Sequence, residues 1–322
     1  MSGPVSHDGA HSIVAIGIFD GVHLGHRAIL ARALARAAAG AGDAGRAATT
    51  GGATARSRCV VVSFDPHPDV VLARGAFTSP LPLTPLDEKR ALLMALGIDA
   101  FVVLPFTREL ASLSPEAFVD EHLVRPFAPA ALVVGEGFAL GRGRTGTVER
   151  LAAIGEARGF AVEAVPLVQL DGAPVSSTRI RERLAAGGVA EAARLLGRRY
   201  RIAGRVVTGD GRGRTLGFPT ANLMLDEERV VPADGVYAAL AYLDGGREAH
   251  AAAMSIGLRP TFGGHTRTIE AHLLDWSGDL VGRPMTVEFA AWLRPELRFD
   301  GAEALIAAMK DDVAEARRRL AG

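Results

Sequence analysis

Along the first half of the chain, short unbroken apolar runs alternate with segments whose apolar residues recur every three to four positions. The runs Ser12 to Ile18, Cys59 to Phe64, Ala100 to Leu104, Ala130 to Val134 and Ala161 to Val165 predict strands buried on both faces. The periodic segments Gly25 to Ala39, Leu86 to Leu96, Ser114 to Leu123 and Val148 to Arg158 predict helices between them. That alternation implies a parallel sheet with helices on both sides, whose ligands sit at the carboxyl ends of the strands. Residues Gly40 to Arg58 are rich in Gly, Ala and Thr and predict a mobile surface loop without function.

The pattern changes after Ala186. Helices Ser177 to Ala186 and Val189 to Leu196 flank Gly187-Gly188 and form a connector. Beyond it, Tyr200 to Val207, Gly235 to Leu243, Ala249 to Ile256, Thr268 to Leu274 and Met285 to Leu293 predict strands separated by glycine turns. These imply an antiparallel β-barrel, closed by one amphipathic helix from Ala302 to Leu320. Two domains follow, residues 1–186 and 187–322, and 322 residues are long for a single core.

Hydrophobic residues make up 48% and charged residues 22%, as in a folded globular protein. The formal net charge is zero, so no basic field exists to hold a nucleic-acid backbone. Only two tryptophans and three tyrosines are available for base stacking, which also disfavours an RNA-binding module. Cys59 is the one cysteine, lies in an apolar run and reads as a buried thiol. No signal-like stretch and no membrane-length apolar run occurs, so the expected compartment is the cytoplasm. Lysine occurs only at Lys89 and Lys310, neither after a glycine-rich turn, so a Walker A loop is absent.

Candidate chemistry begins with Gly17-Ile18-Phe19-Asp20-Gly21-Val22-His23-Leu24-Gly25-His26, which ends a strand and opens a helix. His23 and His26 can both face a phosphate at that helix start, where free N–H groups and a partial positive charge favour anions. Imidazoles there can donate to charge that grows in a transition state, and Gly25 permits close backbone approach. Ser176-Ser177-Thr178 before a helix is a capping sequence, and Arg179 adds a fixed charge for a phosphate. In the second half, Gly209, Gly211, Gly213 and Gly217 permit a loop that exposes its backbone to phosphates. Thr220 and Asn222, two apart on an extended strand, share a face and offer hard oxygens of the kind Mg²⁺ accepts beside nucleotide phosphates.

The string Phe-Asp-Gly-Val-His-Leu-Gly-His contains a nucleotidyltransferase-like His-x-Gly-His and resembles the start of the prokaryotic bifunctional riboflavin kinase/FAD synthetase family. Ser63-Phe64-Asp65-Pro66-His67-Pro68, Val134 to Gly141 and Ser176 to Arg181 agree with that resemblance, as does Gly-Arg-Thr-Leu-Gly-Phe-Pro-Thr-Ala-Asn at 213–222. So do Pro232 to Tyr237, Ser255 to Phe262 and Ile269 to Asp275. The resemblance implies a Rossmann-like first domain that adenylylates FMN to FAD and a barrel that phosphorylates riboflavin, with ATP as co-substrate and Mg²⁺ as cofactor. It implies His23, His26 and Glu270 as catalytic residues, and Thr220 and Asn222 as metal ligands. Gly17, Phe19, Asp20, Gly25, Ser177, Thr178, Arg179, Gly209, Gly211, Arg214 and Gly217 would bind ATP phosphates. Asp65, Pro66, His67 and Arg181 would bind flavin. Gly137 departs from the family, which usually has Asp or Asn there, as do Ala139 and Leu140. That departure motivates a rival reading, a kinase whose first domain binds nucleotide without turnover. A flavin-sensing binding protein is a second rival, and intact His23, His26 and Glu270 argue against it. The string Gly-Arg-Gly-Arg-Thr occurs at both 141–145 and 211–215 and is read as similar local anion chemistry or coincidence.

Overall fold

The computed structural model describes residues 12–40, 56–72, 81–209, 211–261 and 264–321. Its internal contacts divide the chain into two units, residues 1–175 and 176–322, so both connector helices belong to the second. Most of the expected loop between Gly40 and Arg58, residues 41–55, lies outside the described residues.

The first unit is built on β1 (Ser12–Ile16), β2 (Arg58–Asp65), β3 (Ala100–Pro105), β4 (Pro129–Gly135), the two-residue strands β5 (Ala139–Leu140) and β6 (Gly146–Thr147), and β7 (Ala161–Val165). A small hairpin of β8 (Gln169–Leu170) and β9 (Ala173–Pro174) ends it. The five longer strands form one sheet in the order β3-β2-β1-β4-β7, parallel at every pairing. Residues on successive strand positions face opposite ways. Val14, Ile16, Val60, Val62, Leu132 and Val134 therefore meet Phe118, Leu123, Leu151 and Ile154 on one side. Ile13, Ala15, Cys59, Val61, Ala131 and Val133 meet Leu30, Ala33 and Leu93 on the other. Double-sided burial is why these strands read as unbroken apolar runs. Each fully buried large side chain contributes roughly 1.5–3 kcal/mol relative to exposure.

The covering helices are α1 (Leu24–Ala38), α2 (Pro68–Leu72), α3 (Leu86–Ala95), α4 (Arg108–Ser112), α5 (Pro115–Val119), α6 (Arg125–Phe127) and α7 (Val148–Arg158). The helix expected over Ser114 to Leu123 is interrupted: residues Asp120–Val124 take π-helical turns between α5 and α6. Ala128, at φ 42°, then ends the run in a left-handed conformation. Strand order reverses between β1 and β4, which opens a crevice at their carboxyl ends.

The second unit begins with α8 (Ser177–Ala185) and α9 (Val189–Leu196). Gly187 between them has φ 78°, and a Cβ there would stand 1.5 Å from the Trp292 ring, so only glycine fits. Strands β10 (Arg201–Val207), β11 (Ala221–Leu225), β12 (Gly235–Leu243), β13 (His250–Thr261), β14 (Gly264–Leu273) and β15 (Pro284–Arg294) close into a barrel in the order β10-β11-β14-β13-β12-β15. A short turn, α10 (Arg212–Thr215), precedes β11. The long α11 (Ala302–Ala321) lays Val313, Ala316 and Leu320 on the small residues Ala238, Ala251, Ala253 and Ala291 of the barrel wall. Arg294 and Asp312 form a two-pronged ion pair at 2.8 and 2.7 Å that ties β15 to α11.

Candidate functional site

At the end of β1 the chain turns sharply. Phe19 (φ 51°), Gly21 (φ 87°) and Val22 (φ 42°) all take positive φ, and Phe19 and Val22 are buried there. Non-glycine residues hold such conformations only where their surroundings fix them. The turn brings His23 to the cap of α1, where its Nδ1 accepts from the His26 N–H at 3.3 Å. In a neutral ring that bond places the remaining proton on Nε2. The two imidazoles stack with centroids 3.6 Å apart at 18°, and the Phe19 ring meets His26 edge-on at 5.2 Å. Burial first, then the neighbouring His23 and Lys89, hold the His26 imidazole well below its ordinary value, so it is neutral at pH 7. Its Nδ1 is buried without a hydrogen-bond partner in the described residues. A Cβ at Gly25 would stand 3.1 Å from the His23 ring, so the glycine makes room for His23 as well as for a ligand.

Several expected phosphate and flavin residues have other tasks in the structure. Asp20 is buried, and its two carboxylate oxygens accept from the Leu83 and Thr84 N–H groups at 3.1 Å each. It shapes the turn, and an anion so engaged is unsuited to touching a phosphate. The Gly17 N–H donates to Val62 O at 3.1 Å within the sheet layer. A cavity of about 360 Å³ opens at the strand ends, lined by Gly17, Ile18, Phe64, His67, Phe106, Phe118 and the 137–144 loop. Of the residues expected to hold flavin, His67 lines it, while Asp65 and Pro66 are exposed and joined by a cis peptide. Gly137 lines the same cavity, with no atom within 4 Å of a would-be Cβ.

Ser177, Thr178 and Arg179 form the first turn of α8, and Arg181 follows on it. Ser176 caps that helix, its Oγ accepting from the Arg179 N–H at 3.2 Å, as the capping sequence implies. These residues belong to the second unit.

In the barrel, β11 and β14 pair antiparallel with Asn222 opposite Glu270 and Ala221 opposite Ala271. The Thr220 hydroxyl donates to Glu270 Oε2 at 3.1 Å across 50 residues of sequence. Thr220 lies on the wall between two cavities. One, about 500 Å³, is lined by Gly209, Gly211, Arg214, Thr220, Trp276 and residues 277–281. The other, about 410 Å³, is lined by Thr220, Glu270, His272, Glu296 and a largely apolar set including Phe218, Leu258, Phe299 and Met309. A Cβ at Gly209 would stand 2.0 Å from Asn222 Nδ2, so this glycine leaves the space that the Asn222 amide fills. Gly217 turns the chain at φ 86° but lines neither cavity. The two Gly-Arg-Gly-Arg-Thr segments differ in local shape: Gly141 (φ 72°, ψ −179°) opens a turn broken by Gly143 at φ 64° and Arg144 at φ 60°, whereas Gly211 (φ 69°, ψ 8°) is left-handed and leads into the helical turn α10.

No group of three or more His, Cys, Asp or Glu residues suited to a metal occurs among the described residues. Thr220 and Asn222 still fit Mg²⁺, which commonly takes one or two protein oxygens and completes its shell with phosphates and water.

A family described as FAD synthetase matches residues 5–179, and one described as riboflavin kinase matches residues 196–320. A bifunctional riboflavin kinase/FMN adenylyltransferase of Pseudomonas fluorescens is 42% identical over 306 residues, covering 95% of this chain and 92% of its own. The chain belongs to the bifunctional riboflavin kinase/FMN adenylyltransferase family. The Listeria monocytogenes member is 37% identical over 308 residues, again covering 95% of this chain and 92% of its own. A solved Streptococcus pneumoniae structure, described as a macrolide-efflux protein, superposes with a TM-score of 0.83 at 29% identity over 96% of this chain and 94% of that one. Among the described residues no helix is long and apolar enough to cross a membrane.

Within this family fold, sequence reasoning missed the residues that form cavity walls rather than motifs. Trp276, Glu296 and the Arg294–Asp312 pair are examples. Their only sequence signal is proximity to quoted motifs, since their convergence depends on barrel closure.

Proposed function

We propose a division of labour in which each unit performs one of two ATP-dependent steps. The chain is a bifunctional enzyme of flavin biosynthesis: it phosphorylates riboflavin to FMN and adenylylates FMN to FAD. In the barrel, riboflavin occupies the apolar 410 Å³ cavity and ATP the 500 Å³ cavity lined by Gly209, Gly211 and Arg214. Glu270 accepts the proton of the flavin 5′-hydroxyl while that oxygen attacks the γ-phosphorus and ADP leaves. The Thr220 hydroxyl orients the carboxylate and keeps its oxygen lone pairs for a metal. Mg²⁺, held by Thr220 and Asn222, would neutralise phosphate charge there.

In the first unit, an FMN phosphate oxygen attacks the α-phosphorus of a second ATP, and pyrophosphate leaves with the electrons of the broken P–O bond. His23 and His26 donate to oxygens on which charge develops, His23 through Nε2. FMN lies in the 360 Å³ cavity against His67 and Phe64. The work uses soluble substrates and needs neither nucleic acid nor membrane, which suits a cytoplasmic enzyme.

The observation that carries this reading is Thr220 bonded to Glu270 on the wall shared by two cavities. The test is to incubate Glu270→Gln and the double variant His23→Ala, His26→Ala with riboflavin or FMN plus Mg-ATP, and to resolve FMN and FAD by chromatography. Glu270→Gln stops FMN formation but still converts supplied FMN to FAD. The histidine variant does the reverse, losing about 10²–10³ in adenylylation rate. Loss of both reactions in folded Glu270→Gln would refute the two-site assignment.

A further inference from the structure

Of the 36 basic residues, 34 are arginine, and of the two lysines Lys310 is exposed on α11 while Lys89 is buried on α3. Lys89 reaches from α3 to the end of β1, where its Nζ donates to the Ile18 carbonyl at 3.0 Å. Ile18 precedes the strained Phe19, whose ring abuts His26. The segment that carries Lys89 is fixed to this turn at a second point, because Asp20 accepts from Leu83 and Thr84 just before α3. Residues 18–20 are thus gripped from both ends of one short stretch, 83–89.

We infer that Lys89 is a positioning residue of FMN adenylylation: its ammonium holds the carboxyl end of β1 at Ile18 and places a fixed positive charge beside the histidine pair. This rests on the assignment of His23 and His26 to the transfer step. Buried charges are screened less than exposed ones, and of the charges at this turn it is Lys89, rather than the buried Asp20 carboxylate, that acts on the His26 ring. It favours the neutral, donating form of His26, in line with the lowered titration of that ring. It also attracts the triphosphate whose negative charge shifts onto the pyrophosphate as the P–O bond breaks.

The test compares Lys89→Gln, which keeps a donor for Ile18 but loses the charge, with Lys89→Arg, which keeps the charge. Both are made in the full chain beside the His23→Ala, His26→Ala variant. Readouts are kcat and KM for adenylylation, the riboflavin kinase rate, and the His26 titration followed by NMR with labelled histidine. Lys89→Gln is expected to lower adenylylation kcat by about 10²-fold, to leave phosphorylation unchanged and to raise the His26 midpoint. Lys89→Arg is expected to recover part of the rate and to keep His26 low. Wild-type adenylylation in Lys89→Gln, or no gain of Lys89→Arg over Lys89→Gln, overturns the inference. If the histidine variant itself adenylylates normally, the site assignment fails instead, whatever Lys89 does.

Discussion

Gly209→Ala should cripple the kinase step while hardly touching stability. The new Cβ would stand 2.0 Å from Asn222 Nδ2 and 2.8 Å from its Cγ. Ordinary contact begins near 3.4 Å, so the amide must retreat by about 1.4 Å, and a misplacement of about 1 Å at a reacting centre costs about 10²-fold in rate. The obstructing atom is the far end of a side chain, and Gly209 does not occupy the left-handed region, so the backbone accepts alanine. The fold loss should stay within about 1 kcal/mol, the common range for a point substitution. The assay is FMN formation from riboflavin and Mg-ATP, with FAD formation from supplied FMN as internal control. If the loss passes through Asn222, then Gly209→Ala combined with Asn222→Ala is no slower than Asn222→Ala alone, as a double-mutant cycle would register. Full kinase activity in Gly209→Ala, or additive losses in the double variant, would refute the placement of Asn222 in the site.

The remaining predictions concern the first unit. Gly137→Asn introduces a side chain into open space on the 360 Å³ cavity and should raise FAD formation more than FMN formation; an unchanged adenylylation rate in the folded variant counts against it. His26 titrates well below its ordinary value when folded, so the unfolded chain binds more protons as pH falls through about 6.5 and stability declines on the acid side. Thermal melting from pH 7.5 to 5.5 should show that decline in wild type and a smaller one in His26→Gln. Burial, with Asp99 next, pushes the Cys59 thiol up to about 12, so iodoacetamide at pH 8 should label it only after unfolding; rapid labelling of the native protein would show that the sheet interior is accessible.

How legible the molecule was in its sequence depended on whether each signal was local. Strands β1, β2 and β4 were readable because burial on both faces leaves runs such as Cys59-Val60-Val61-Val62, whereas the edge strands β3 and β7 are only partly buried and β7 carries Glu163. The connector caps were readable because Ser176 acts within one turn. Strand β11, Ala221–Leu225, was legible only through the two-residue spacing of Thr220 and Asn222: it contains no β-branched or aromatic residue, so its extended form comes from pairing with β10 and β14. The break at Asp120–Val124 lies just ahead of Pro126, which has no N–H to continue the α-helical ladder and whose ring crowds the preceding turn. At the site, the motifs named the residues, but the task of Asp20 was hidden because its partners lie more than 60 positions away. Separations of 71 and 50 residues concealed the Lys89–Ile18 and Thr220–Glu270 contacts in the same way.

The barrel closes through β15, which pairs on one side with β10 and on the other with β12. That gives the two units different schedules on the ribosome. Every strand of the parallel sheet has been made by Val165, so the first unit can bury both faces of its core while the rest of the chain is still being assembled. The barrel must wait until Arg294 has emerged, some 93 residues after β10 begins at Arg201, because its first strand has no partner on that side until its last one arrives. Until then the edges of β10 and β12 stand open. A chain that stalls before β15 carries a finished adenylylation unit and an unsealed sheet, the form most exposed to pairing with another copy of itself.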